Sequence, residues 1–300
     1  MRAQRALGTD CWLFGMEDAG AITAAALGLL RRGRILRSVD IPSAPDVEAG
    51  STFWGGLDTF CRDEGITNLE ISTFASPRSL VPQLRGEEER IQRTEFELPL
   101  AGKDLFDGLS SHHRTRVKKA RKNGMTMRRA VSDDALDAHL ALQANSMARR
   151  KARNDNVPLE FARADDAVLL ASGAAELCQA VLRGEVASSL LILRSSRGAY
   201  FASAGSSTEG MSLGASHFLV LETAMALQSE GVELFYLGGA RPHEEGLRSF
   251  KSGFGSTPVD TEAVISYVGG RFRRRVSEAV ESIQRAVTPR YTTAVPARKV

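Results

Sequence analysis

The chain alternates between apolar runs broken by glycine-bearing turns and segments whose apolar residues recur at helical spacing. Residues 21–30, "AITAAALGLL", and 34–41 are β-compatible and flank Arg31, Arg32 and Gly33, a pattern that predicts a hairpin. A polar, proline-containing loop follows. Then Phe53, Leu57, Phe60 and Cys61 mark one face of a helix in "TFWGGLDTFCRDEG", with Gly65 placed to end it in the left-handed conformation. "ITNLEISTF" reads as the next strand.

The second half repeats this order. "VASSLLILR" (186–194) and "AYFASAG" (199–205) flank the turn "SSRG", and 215–231 forms a helix with Phe218, Leu221 and Met225 on one stripe. "VELFYL" (232–237) follows, and the two helices close alike, Glu64-Gly65-Ile66 and Glu230-Gly231-Val232. The shared order predicts two related α/β halves, residues 1–97 and 98–300. Between them lie a strand (93–100), a short basic helix, a strand (124–131), a helix (132–152) capped by Ser132 with Leu136, Leu140 and Leu142 on its apolar side, a second helix (165–177) and a strand (177–183). The tail predicts an edge strand at 261–268 and a helix at 271–287.

Composition narrows the picture. Apolar residues make up 43% and charged residues 25%, which predicts an ordinary packed core. The net charge is only +3, so any nucleic-acid contact must rest on a local cluster. One such cluster exists: "RTRVKKARK" (114–122) holds six Lys or Arg in nine positions. Cys11, Cys61 and Cys178 are far apart, without metal-ligand spacing, which fits a reducing compartment and no metal site. The first apolar run is quickly broken by acids, unlike a signal peptide, and 21–30 is too short to span a bilayer; the expectation is a soluble, cytoplasmic protein.

The second half, in the order strand, two helices, three strands, helix, strand, resembles the GNAT acyltransferase fold. The resemblance implies that strands 199–205 and 232–237 part, with the acyl donor between them and near the start of helix 215–230. Two segments sharpen it. "LSSHHRTRVKKARKNGMTMRRA" is similar to a signature of the Fem-type (FemABX-like) branch, with Arg114, Ala120 and Gly124 in place. "YLGGARPHEEGLRSFKSGFGSTPV" resembles a second one, matched by Gly246, Leu247, Phe250, Lys251, Phe254 and Gly255. The implied architecture is mixed α/β (α+β): tandem GNAT-like units, each a mixed central sheet flanked by helices. The long coiled-coil arm of some Fem enzymes is not visible. The acetyl-CoA phosphate motif is replaced by "EGMSLGAS", with no basic residue in register.

This resemblance implies an acyltransferase that uses aminoacyl-tRNA as co-substrate, with no further cofactor, and adds the aminoacyl group to an amine of a small molecule or peptidoglycan precursor. An acyl-CoA (acetyl-CoA)-dependent N-acyltransferase is the alternative, and a non-catalytic nucleic-acid-binding module the third reading. Lys251 is the expected catalytic residue: a fixed ammonium stabilises the oxyanion of acyl transfer. Phe250 and Phe254 are expected to wall its stem. Gly238 and Gly239 are expected to turn the chain at the strand end. Arg114, with Lys118 and Arg121, is expected to meet donor or acceptor phosphate. Glu244, Glu245, Asp133 and Asp134 read as helix N-terminal acids. His112 and His113 could deprotonate an amine but read rather as helix-entry packing or solvent-exposed residues, and His217 reads as structural.

Overall fold

The computed structural model describes residues 9–33, 36–76, 81–152 and 163–269, with positions 276 and 279. Of the expected helix at 271–287, only positions 276 and 279 are described, and both are helical; the rest lies outside the described residues. Two compact units are present, Met1–Arg93 with Asp260–Val300 and Thr94–Val259. The expected division at 97/98 kept the tail with the second half; here it groups with the first.

In the first unit, β1 (Asp10–Asp18) pairs antiparallel with β2 (Ala21–Arg32), and β2 with β3 (Arg37–Ile41). Helix α1 (Thr52–Asp63) crosses over to β4 (Asn68–Ser72), parallel to β3. The hydroxyl of Ser51 caps α1, and Gly65, at φ +60°, lets the chain leave it. Alternate residues Val39, Ile41, Leu69 and Ile71 share a core with Phe53, Trp54, Leu57 and Cys61 of α1. The tail strand β11 (Thr257–Tyr267) was expected at an edge. It instead lies between β4 and the start of β5 (Glu87–Pro99), with Ala263 and Val264 fully buried.

In the second unit the strand order is β5-β10-β9-β8-β7-β6, with β5 contributing Thr94–Pro99. The chain runs through α2 (Ser111–Lys122), β6 (Thr126–Ala130), α3 (Asp133–Lys151), α4 (Arg163–Ala171), β7 (Ala175–Leu182), β8 (Glu185–Arg194) and β9 (Gly198–Ser206). It continues through α5 (Thr208–Leu213), α6 (Ala215–Ser229), β10 (Leu234–Ala240) and α7 (Glu245–Ser252). One core joins α2 and α6 to the sheet through Val117, Ala120, Phe218, Leu221 and Phe235. A second, built on Leu136, Leu170, Leu177 and Leu191, holds α3 and α4. Met225, expected on the buried stripe of α6, is 40% exposed, because Leu219, Val220, Ala224 and Leu227 fill the buried sector.

Helix α3 lies so close to β9 that a Cβ at Gly205 would fall 2.2 Å from the backbone carbon of Leu142. The obstacle is main chain on both sides and cannot rotate away. Gly205→Ala is therefore expected to cost about 2 kcal/mol or more, read as a lowered Tm with an unchanged far-UV spectrum.

Candidate active site

Strands β9 and β10 are ladder partners at only three positions, Gly198 with Leu234, Ala199 with Phe235 and Tyr200 with Tyr236. Beyond these, each strand carries an irregularity. On β9, Ser203 faces Leu191 and Phe201 faces Ile192, so Ala202 is an extra residue against β8. On β10, pairing with β5 shifts between Tyr236 and Gly239, and Gly238 adopts φ +76°. The two strands therefore cease to pair beyond Tyr200 and Tyr236, within the stretches where the GNAT resemblance implies a parting.

Lys251 comes to this parting from α7. Its side chain is only 7% exposed, and its Nζ donates to the Gly239 carbonyl at 2.5 Å. A Cβ on Gly238 would lie 3.3 Å from that Nζ, 3.5 Å from the Tyr200 hydroxyl and 3.6 Å from the Phe201 carbonyl oxygen. Glycine is favoured here by the positive φ, and a Cβ would press closest on the lysine ammonium. A Cβ on Gly239 would lie 2.7 Å from Oε1 of Glu95. Burial pushes the Lys251 ammonium down to about 8, opposed by the carboxylates of Glu95 and Glu244. The ring beside the ammonium is Phe96, at 5.9 Å. Phe250 and Phe254, expected to wall the stem, engage each other at 5.1 Å and the rings of His113 and His217.

The basic helix is fastened to α7 at its N-terminus. Ser110 Oγ accepts from the His113 amide and lies 3.0 Å from His113 Nδ1, while His113 Nε2 is 2.8 Å from the Phe250 carbonyl oxygen. Burial lowers the His113 pKa, and it drives His217 down to about 3 with help from His113, His112 and Arg116, so both rings are neutral near pH 7. The expected cationic face divides. Arg114 is half-buried and, among the described residues, makes no side-chain hydrogen bond or ion pair. Lys118 is exposed near Phe106. Arg121 is held by Glu222 at 2.8 Å and lies over Phe106. Arg116 and Lys119 donate to the Ser212 carbonyl at 3.3 and 2.9 Å, just before α6. Cations missing from "EGMSLGAS" thus arrive from α2, which local sequence could not show.

Three neighbours of the parting were not foreseen. Glu95 and Tyr200 approach Lys251 only through strand register. His139 is fully buried on α3 and lies 3.0 Å from Ser189 Oγ and 2.9 Å from Ser203 Oγ, its pKa lowered to about 4 by burial. An open hollow of about 540 Å³ lies elsewhere, along β6 and β7, lined by Arg129, Val131, Leu170, Glu176 and Arg194. Its guanidinium groups are already matched by Glu176 and Glu230. The candidate site is the parting at Lys251, where a buried ammonium meets the end of the β9–β10 ladder.

Residues 110–252 match the family described as the acetyltransferase (GNAT) domain. The fold is shared with the crystal structure of FemX, at 12% identity and a TM-score of 0.65, covering 87% of this chain and 89% of that one. It is also shared with the C-terminal domain of a putative lysylphosphatidylglycerol synthetase from Agrobacterium fabrum, at 14% identity and a TM-score of 0.57, covering 94% and 90%. A tandem GNAT protein from the clavulanic acid biosynthesis pathway aligns at 14% identity with a TM-score of 0.53, covering 87% and 84%. No curated protein matches the sequence. Residues 110–252 are thus a GNAT domain of Fem-like fold, and the protein is an acyltransferase. This displaces the reading as a non-catalytic nucleic-acid-binding module. Among the described residues no helix is long and apolar enough to cross a membrane.

The environment of Lys251 has a measurable consequence. Its folded pKa, about 8, lies below the ordinary 10.5, so the unfolded chain holds the extra proton between these values. The associated stability is complete above that window and lost as pH falls through it, by about 3 kcal/mol in full. Lys251→Met should therefore melt above the parent near pH 7, and the gap should shrink as pH rises to 10. A gap constant across that range contradicts the assigned burial.

Proposed function

We propose that the protein transfers an aminoacyl group from aminoacyl-tRNA to the amine of a small-molecule or peptidoglycan-precursor acceptor, forming an amide. The observation that carries this reading is the buried ammonium of Lys251 at the parted strands, within the Gly246–Gly255 segment that resembles the Fem-type signature. The acceptor nitrogen attacks the ester carbonyl, and the carbonyl oxygen gains charge as the C–N bond forms. Lys251 stabilises that oxygen and then the departing 3′-oxygen of the tRNA, which leaves with the proton the amine gives up. An aminoacyl ester is already activated, so alignment of amine and carbonyl between the strands suffices without a protein nucleophile. Arg114 and Lys118 supply the positive charge suited to phosphate on donor or acceptor. The acyl-CoA reading draws on the acetyltransferase description of the matched family.

Labelled donors separate the two. Purified protein with a cell extract and radiolabelled aminoacyl-tRNA should yield a labelled amide, abolished by RNase. Transfer only from labelled acetyl-CoA, indifferent to RNase, would replace the tRNA donor with a CoA thioester.

Two variants test the assigned residues. Lys251→Met should fold and lose turnover by about 100-fold or more; full activity would remove Lys251 from the mechanism. Arg114→Ala should raise the apparent KM for the phosphate-bearing substrate by about 10-fold, and unchanged kinetics would remove Arg114.

A further inference from the structure

One buried group stands outside the mechanism. His139 of α3 is fully buried and joins two serines: Nδ1 lies 3.0 Å from Ser189 Oγ, and Nε2 lies 2.9 Å from Ser203 Oγ. Burial lowers its pKa to about 4, so near pH 7 one ring nitrogen carries a hydrogen and the other accepts. Among the described residues, neither serine hydroxyl has a second hydrogen-bond partner. The two serines differ in exposure. Ser189 is fully buried, whereas Ser203 is half-buried and follows the exposed Ala202. With the hydrogen on Nδ1, the Ser189 hydroxyl would have to aim its own hydrogen into dry interior without an acceptor, which is costly. Ser189 therefore donates to Nδ1, and Nε2–H donates to Ser203 Oγ. The hydrogen of Ser203 is left to point away from the core.

Register brings that hydroxyl to the parting. On β8, Leu191 and Leu193 face the core of α3 and α4, while Leu190 and Ile192 face the core of α2 and α6. Tyr200 pairs with Leu193 and Ser203 with Leu191, so both lie on the α3 face of β9. Tyr200 is the last residue of β9 laddered to β10, and its hydroxyl stands with Lys251 Nζ around Gly238. Ser203 is the next side chain on that face, in the stretch where β9 has no rung to β10. The cations of α2 approach the start of α6 from the opposite face, through Arg116 and Lys119.

We propose that Ser203 is a binding residue for the amine substrate: with its direction set by His139 and Ser189, its hydroxyl donates to an oxygen beside the nucleophilic nitrogen. The inference rests on acyl transfer at the parting beside Lys251 and adds the chemistry of the acceptor, an amine flanked by a carbonyl, carboxylate or hydroxyl oxygen. Ser203 takes no proton from the amine, because the chain behind it ends at Ser189, which has nowhere to pass one.

The direction of the chain is read without substrate. In 15N-labelled protein at pH 7, with the His139 ring assigned through its backbone, the hydrogen should be found on Nε2; a hydrogen on Nδ1 overturns the proposal. The role is read in the transfer assay, with cell extract as the source of amine. Ser203→Ala should raise the extract concentration that gives half-maximal amide formation by about 10-fold or more, leaving the KM of the labelled donor unchanged. Ser203→Thr, which keeps the hydroxyl, should return it toward the parent. A merely structural loss would lower Tm and turnover together without separating amine from donor. An unchanged amine-side value, a rise on the donor side, or no recovery in Ser203→Thr overturns the proposal. Full turnover by Lys251→Met would overturn the reading of Lys251 instead, and both measurements on this chain report independently of it.

Discussion

A primary ammonium taken out of water must find an acceptor, and in the second unit that acceptor is the main-chain carbonyl of Gly239. The carbonyl lies beyond the last ladder pair between β9 and β10. Two glycines in succession leave the space that Lys251, Tyr200 and Glu95 share. A side chain at Gly238 would have to adopt a positive φ and press on the ammonium at 3.3 Å. The bulge, the left-handed residue and the short helix α7 are therefore parts of one arrangement, and changing any of them relocates the charge.

The basic helix takes its meaning from the same arrangement. Its first turn is fixed to α7 through Ser110, His113 and the Phe250 carbonyl, so the cations are carried by the folded body rather than by a free arm. Several are already engaged: Arg121 with Glu222, and Arg116 and Lys119 with the end of α5. Among the described residues, the positive charge of α2 without an ion-pair or hydrogen-bond partner stays on Arg114, Lys118 and Lys122. A run of six cations in sequence thus becomes a smaller reactive face once folded.

The helix at 52–63 was legible from its apolar period and the helix at 133–151 from its Ser132 cap and apolar side, because these signals occur within a few residues. The hairpin of β8 and β9 and the strand of Lys251's turn were legible for similar reasons. Strand β1 was not, because Trp12, Phe14 and Met16 face α1 while Leu13 is exposed, giving a weak alternation beside small residues of β2. The interior place of β11 depends on pairing with β4, nearly two hundred residues earlier, and no local pattern encodes it. The same limit hid Glu95 and Tyr200, whose approach to Lys251 follows from register. The ring contacts of Phe250 and Phe254 with His113 and His217 likewise depend on helices far apart in sequence.

The separation of β9 from β10 is written into the covalent order of the chain, through an inserted residue at Ala202 and a backbone at Gly238 that only glycine adopts easily. A guest entering there has no hydrogen-bonded rungs to break. Its binding energy is free to go into discrimination rather than into prying the protein open, so selectivity falls on what projects from either end of the slot.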